Sequence, residues 1–242
     1  MGIRTVILCG GKGTRAYPLT ESVPKPLLEV AGQPVVQHVM ELYAAHGFTD
    51  FVLATGYKHE LVVEFAEGLN HSDWTIDVVD TGEATNTGGR VRKVADLVDD
   101  TFFVTYSDGL GDVDLEGTLV HHQAHGGYAT MTTVPLPSQY GTVVFDDSGR
   151  VEGFKEKPKL PDHYINAGFF VLDKRCFDHW PDPGEDLERD VLPAFAADGE
   201  LFVYKHKGFW KSMDTYKDAL ELTALAADGS PPWMRSENPA SS

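Results

Sequence analysis

Three glycines and two cations crowd a short stretch near the amino terminus, and a third cation follows. Val6, Ile7, Leu8 and Cys9 run into Gly10, Gly11, Lys12, Gly13, Thr14 and Arg15, and Lys25 stands between Pro24 and Pro26. Glycine lacks a Cβ, so Gly10, Gly11 and Gly13 let the backbone turn tightly and approach a ligand closely. Successive backbone N–H groups in such a turn form a concavity for anions. Lys12 and Arg15 add charge, and the planar guanidinium suits phosphate oxygens. The flanking prolines restrict the backbone at Lys25 and so fix where its ammonium points. This is chemistry for holding a polyphosphate with its α-phosphorus open to attack. Leu8 and Thr14 lie in the same stretch and join the candidate nucleotide contacts, and Arg15 and Lys25 are the candidate catalytic residues.

Two other phosphate loops are excluded. No G-x-x-x-x-G-K-[ST] string occurs here, and the dinucleotide fingerprint fails at its third glycine, where Ala16 stands. Further along, Thr87, Gly88 and Arg90 open an expected helix, whose N–H groups favour anions, and Thr87 offers a hydroxyl to the nucleotide. Asp108 follows Ser107, itself a candidate nucleotide contact, at the end of an apolar run. A carboxylate there suits Mg²⁺, which takes one or two carboxylates plus substrate phosphates. Read alone, Asp108 is equally a turn former and Asp214 equally a helix N-cap. Glu156 and Asn166 offer polar contacts for sugar hydroxyls. His121 and His125 stand one helical turn apart, but no Cys or third His lies at zinc spacing, so a wet helix face is expected.

These residues need elements to carry them. Strands are expected at 5–9, 51–54, 76–79 and 102–105, alternating with helices at 35–45, 59–66, 89–97 and 114–125. Such alternation implies an α/β fold: a Rossmann-like, mostly parallel sheet flanked by helices, with right-handed crossovers. Ligands bind such sheets at the carboxyl ends of the strands, where the glycine turn, 87–90 and 107–108 should converge. The second half reads as short strands at 129–134, 142–145, 151–156, 165–172 and 202–205, a small β-rich extension for the sugar. A closing helix is expected at 216–226, and 228–242 reads as an exposed tail.

The whole string, Gly10 to Arg15 with Pro24-Lys25-Pro26, resembles the signature of the sugar-1-phosphate nucleotidylyltransferases. These enzymes join a nucleoside triphosphate to a sugar phosphate and release pyrophosphate. The resemblance extends over nearly the whole chain. It implies that Asp108 and Asp214 hold the metal, Mg²⁺. It implies that Gly141, Glu156 and Lys157 grip the sugar phosphate and that Asn166 contacts the hexose. It also implies one domain over 1–227, with a nucleotide half at 1–127 and a sugar half at 128–227, and a homo-oligomer. His38, Gly56-Tyr57-Lys58, Asp80-Thr81-Gly82, Thr87-Gly88-Gly89-Arg90 and Pro232-Trp233 look most like the cytidylyltransferase branch, which implies CTP and glucose 1-phosphate. Residues 16–20 look more like thymidylyl and guanylyl relatives, and an insertion common in that branch before Asp80 is absent.

The net charge of −17 excludes nucleic acid and anionic membranes as partners. A phosphorylated ligand is still served locally. Residues 1–25 hold four basic residues and one acid, against 16 basic and 36 acidic residues in the rest. Screening over about 8 Å at physiological salt lets that local cluster govern. No run is long and apolar enough to span a bilayer. Cys9 and Cys176 lack disulfide or metal spacing and read as buried thiols, which points to the cytosol.

Overall fold

The computed structural model describes residues 2–138 and 140–234. Among these residues thirteen strands are formed in chain order: β1 (Thr5–Leu8), β2 (Glu29–Val30), β3 (Gln33–Pro34), β4 (Asp50–Thr55), β5 (Thr75–Asp80), β6 (Thr101–Tyr106), β7 (Gly109–Gly111), β8 (Ala129–Pro137), β9 (Thr142–Phe145), β10 (Val151–Lys155), β11 (Lys159–Asp173), β12 (Leu201–Lys205) and β13 (Trp210–Ser212). Six α-helices accompany them: α1 (Val35–Ala45), α2 (His59–Gly68), α3 (Thr87–Lys93), α4 (Leu115–His125), α5 (Leu192–Ala197) and α6 (Tyr216–Leu225).

Seven strands form one sheet in the order β12-β8-β11-β6-β1-β4-β5. β1 pairs in parallel with β4 and β6, β4 with β5, and β8 with β12, while β11 runs antiparallel to both neighbours. The second half therefore lays three strands into the same sheet as the first. The hairpin β9–β10 stands apart as a two-stranded unit, as do the short pairs β7–β13 and β2–β3.

Successive strand residues point to opposite faces, and here both faces are apolar. Ile7, Leu53, Phe103 and Val171 face one cluster with α1, whereas Val6, Leu8, Val52, Ala54, Val104 and Leu172 face the other. The strand ends are thus pinned from both sides, and loops leaving them inherit a fixed starting point. No helix among the described residues is long and apolar enough to cross a membrane.

Two expectations change. The tail expected to be exposed contains Trp233, which is buried against α1 and sits edge-on to His38 with ring centroids 5.5 Å apart. An indole buries too much apolar area to be left in water when a groove receives it. Residues 235–242 of that expected tail lie outside the described residues. The histidine face of α4 is not wet either. His122 is buried, and His125 stacks on Phe202 with centroids 3.8 Å apart while its Nε2 lies 2.6 Å from Thr130 Oγ1.

Candidate active site

Four charged side chains meet where β1 and β6 end. Lys25 is nearly buried, and its Nζ contacts Asp108 and lies 2.9 Å from Asp214 Oδ1. Arg15 Nη1 lies 3.0 Å from Asp214 Oδ2. Two short strands bring the aspartates together. β7 and β13 pair with Ser212 opposite Gly109, and the Met213 N–H donates to the Asp108 carbonyl at 2.9 Å. Asp214 is not the cap of α6. Thr215 takes that place in a capping box with Asp218, which leaves the Asp214 carboxylate free for the site.

The glycine turn leaves β1 directly. Gly13 adopts φ +62°, and a Cβ there would come within 2.7 Å of Lys25 Cβ, so both conformation and space demand glycine. The backbone N–H groups of Gly11, Lys12, Gly13, Thr14 and Arg15 donate to no group among the described residues. Such a run of free donors is what an anion concavity requires. Lys12 is turned to the rim, 2.6 Å from Glu83, and this contact raises its pKa. Leu8 and Gly10 are buried at the strand end, and Ser107 is buried beside the Cys9 thiol, whose pKa burial pushes up.

Arg90, Thr87 and Gly88 depart from expectation. Arg90 is buried and aimed at the protein rather than at a ligand. It donates to the Gly10 carbonyl at 2.9 Å, the Thr55 carbonyl at 2.7 Å and Thr81 Oγ1 at 2.6 Å. A Cβ on Gly10 would overlap its guanidinium. Desolvation lowers its pKa, and three good acceptors keep the buried charge satisfied. Thr87 and Gly88 lie under residues 184–188. The Thr87 hydroxyl accepts from the Leu187 N–H at 2.9 Å and donates to Glu188 at 2.8 Å, and a Cβ on Gly88 would press on the Gly184 carbonyl at 2.6 Å. The start of α3 is covered, which a local motif cannot reveal.

The candidate sugar-phosphate residues form two groups. Gly141 and Glu156 close the base of the β9–β10 hairpin, where a Cβ on Gly141 would meet Glu156 Oε2 at 3.1 Å. Lys157 follows with φ +44°, exposed, 3.8 Å from Glu156. A non-glycine residue in this left-handed region stores strain, which tends to gather at functional sites. Asn166 sits apart on β11, with Nδ2 3.4 Å from the Tyr106 hydroxyl and Oδ1 accepting from the Gly168 N–H at 2.8 Å. Tyr106 also bonds Glu188. Burial first, and the adjacent Glu188 charge second, push the Tyr106 phenol up. Sequence reasoning named neither Tyr106 nor Glu188 as a site residue. The stretch Asp186 to Asp190 holds four charged residues, and nothing in its pattern separates Glu188 from the other three.

Fold and site define an α/β protein with a glycine turn and a cluster of two cations and two aspartates at the carboxyl ends of parallel strands. The chain matches the nucleotidyl transferase family over residues 4–228 and belongs to it. It is 37% identical to the glucose-1-phosphate cytidylyltransferase of Salmonella typhi, covering 96% of this chain and 98% of that one. It is 35% identical to the mannose-1-phosphate guanyltransferase of Gibberella zeae, covering 92% of this chain and 64% of that one. Among solved structures, HddC from Yersinia pseudotuberculosis shares the fold, with a TM-score of 0.73 at 22% identity over 92% of this chain and 98% of that one. The chain is a nucleotidyltransferase.

Proposed function

We propose that this enzyme transfers a cytidylyl group from CTP to glucose 1-phosphate, giving CDP-glucose and pyrophosphate. What carries the reading is the meeting of Lys25, Arg15, Asp108 and Asp214 beside the free N–H groups of Gly11 to Arg15. The similarity to the Salmonella typhi enzyme supports CTP and glucose.

The attacking oxygen of a sugar phosphate is already anionic, so the reaction needs no general base. It needs alignment and charge neutralisation. The glycine turn and Arg15 hold the triphosphate and orient its pyrophosphate end. Lys25 offsets charge at the α-phosphate. Lys157 holds the incoming phosphate, and Glu156, Asn166 and Gly141 take the sugar. We assign residues 1–127 mainly to the nucleotide and 128–227 mainly to the sugar.

The donor set also fits a divalent cation. Two carboxylates already gather around one positive charge, Lys25 Nζ, and hard oxygen ligands of that kind suit Mg²⁺. No group of three metal-ligating side chains occurs among the described residues, so substrate phosphates would complete the shell. When bound there, Mg²⁺ supplies further neutralisation of phosphate charge. We place the enzyme in the cytosol as a homo-oligomer: both cysteines are buried free thiols, and the β9–β10 hairpin exposes apolar side chains.

A second reading, GTP with a mannose phosphate, is supported by the likeness to the Gibberella zeae enzyme. Pyrophosphate release decides between them when CTP, UTP, dTTP, GTP and ATP are each paired with several sugar 1-phosphates and Mg²⁺. Release led by CTP with glucose 1-phosphate is expected. A GTP lead reassigns the base, and silence in every pairing sinks the function.

A further inference from the structure

Gly56, Tyr57 and Lys58 take no part in the chemistry above, yet this turn holds both ends of the phosphate loop. The Tyr57 N–H donates to the Gly10 carbonyl at 3.1 Å. The Tyr57 hydroxyl donates to the Thr20 carbonyl at 3.0 Å, and Lys58 Nζ donates to the Ser22 carbonyl at 3.0 Å. Thr20 is buried and passes the restraint inward, its hydroxyl donating to the Gly13 carbonyl at 3.1 Å. The Lys58 ammonium also lies 5.4 Å from the Tyr57 ring centroid.

All four bonds consume carbonyls of the loop: those of Gly10 and Gly13 share peptide planes with the Gly11 and Thr14 N–H groups, and those of Thr20 and Ser22 anchor the far end, where the Glu21 N–H already donates to the Pro18 carbonyl. A peptide plane whose C=O is held on one side presents its N–H on the other. A concavity for anions needs its carbonyls turned outward, because an inward carbonyl would repel phosphate. The fold accepts strain to arrange this. Lys58 adopts φ +53°, a left-handed conformation that is strained for a residue bearing a β-carbon. Nothing in the start of α2 requires a lysine there. Among the described residues the side chain makes no ion pair, and its charge is spent on the Ser22 carbonyl.

We infer that Tyr57 and Lys58 are positioning residues for the nucleoside triphosphate, anchoring the far end of the loop at Thr20 and Ser22 so that, through the Thr20 hydroxyl on the Gly13 carbonyl, its first turn stays donor-facing. The inference rests on reading the glycine turn as the nucleotide grip. It goes beyond that reading by assigning affinity for one substrate to residues that do not touch it.

The test separates the two substrates. KM for CTP and for glucose 1-phosphate, the calorimetric Kd for CTP, and Tm are measured on wild type, Tyr57→Phe, Lys58→Met, Lys58→Arg and Lys58→Gly. Tyr57→Phe and Lys58→Met each lose one hydrogen bond and should raise KM and Kd for CTP about fivefold. KM for glucose 1-phosphate should stay within about twofold. Lys58→Arg keeps a donor and should restore CTP affinity. Lys58→Gly relieves the backbone strain, so Tm should not fall, yet CTP binding should weaken as in Lys58→Met. Weaker nucleotide binding without lost stability is the pattern a merely structural role does not give. Unmoved CTP constants in Tyr57→Phe and Lys58→Met, beside an active wild type, overturn the positioning role alone. Equal rises in both KM values do the same. A wild type that binds and turns over no nucleotide fails the reading of the site, and the positioning role falls with it.

Discussion

Lys25 is held tightly by its surroundings. It is 9% exposed and lies against both Asp108 and Asp214. Its ammonium therefore cannot swing away when charge develops at the α-phosphate. Removing one preorganised donor of this kind costs about 10²–10³ in kcat, or roughly 3–4 kcal/mol. Lys25→Ala should show that loss in steady-state turnover, with the nucleotide Kd moving far less. Turnover within a few-fold of wild type would remove Lys25 from the reacting centre. Much of this was readable in advance, because glycines, cations and prolines carry local backbone consequences. Arg90 was not. Its meaning depends on Gly10, Thr55 and Thr81, which reach it only through the pairing of β1, β4 and β5.

At the scale of elements, α1 appears at the bounds its periodicity implies, and β9 does as well. The small β7–β13 sheet that joins the aspartates was not legible, since three-residue strands carry no period to read. α4 shows how packing overrides composition. His122 Nδ1 lies 2.9 Å from Thr130 Oγ1, and its ring centroid is 5.1 Å from that of His125. His121, Asp173 and Arg175 also act on it. Burial first, and the neighbouring His125 second, bring the His122 pKa from its usual 6.5 to about 4. The unfolded chain takes up this proton near pH 6.5, the native chain only near pH 4. The contribution is complete above pH 6.5 and is lost as pH falls through that window, by of order 3 kcal/mol. Urea unfolding of wild type and His122→Asn at pH 7 and pH 4.5 checks this. Wild type should lose more stability on acidification than the variant, and equal losses would contradict the account.

For the whole molecule, the first half was legible as strand-helix alternation. The second half was legible as strands but not as members of the same sheet. Partner choice between distant strands depends on which apolar faces meet, as in the 15-residue β11 bridging β6 and β8. The hairpin outside that sheet exposes Val144 at 61%, Phe145 at 65% and Phe154 at 63%. Adjacent residues on β9 point to opposite sides, so both faces are apolar, and a lone hairpin is marginal in water. Light scattering at micromolar concentration should find wild type self-associated and Phe145→Asp shifted toward monomer. A monomeric wild type, or an unmoved mass for the variant, would take the hairpin out of assembly.

The proposed reaction has a sugar phosphate oxygen attack the α-phosphorus. Glucose 1-phosphate carrying ¹⁸O in its phosphate, reacted with unlabelled CTP and Mg²⁺, tests that assignment by mass spectrometry of both products. All label should stay in the nucleotide sugar, and the pyrophosphate should carry none. Loss of one ¹⁸O from the nucleotide sugar would mean that the glucose phosphorus is attacked instead, and release of CMP or CDP in place of pyrophosphate would mean that the β- or γ-phosphorus is.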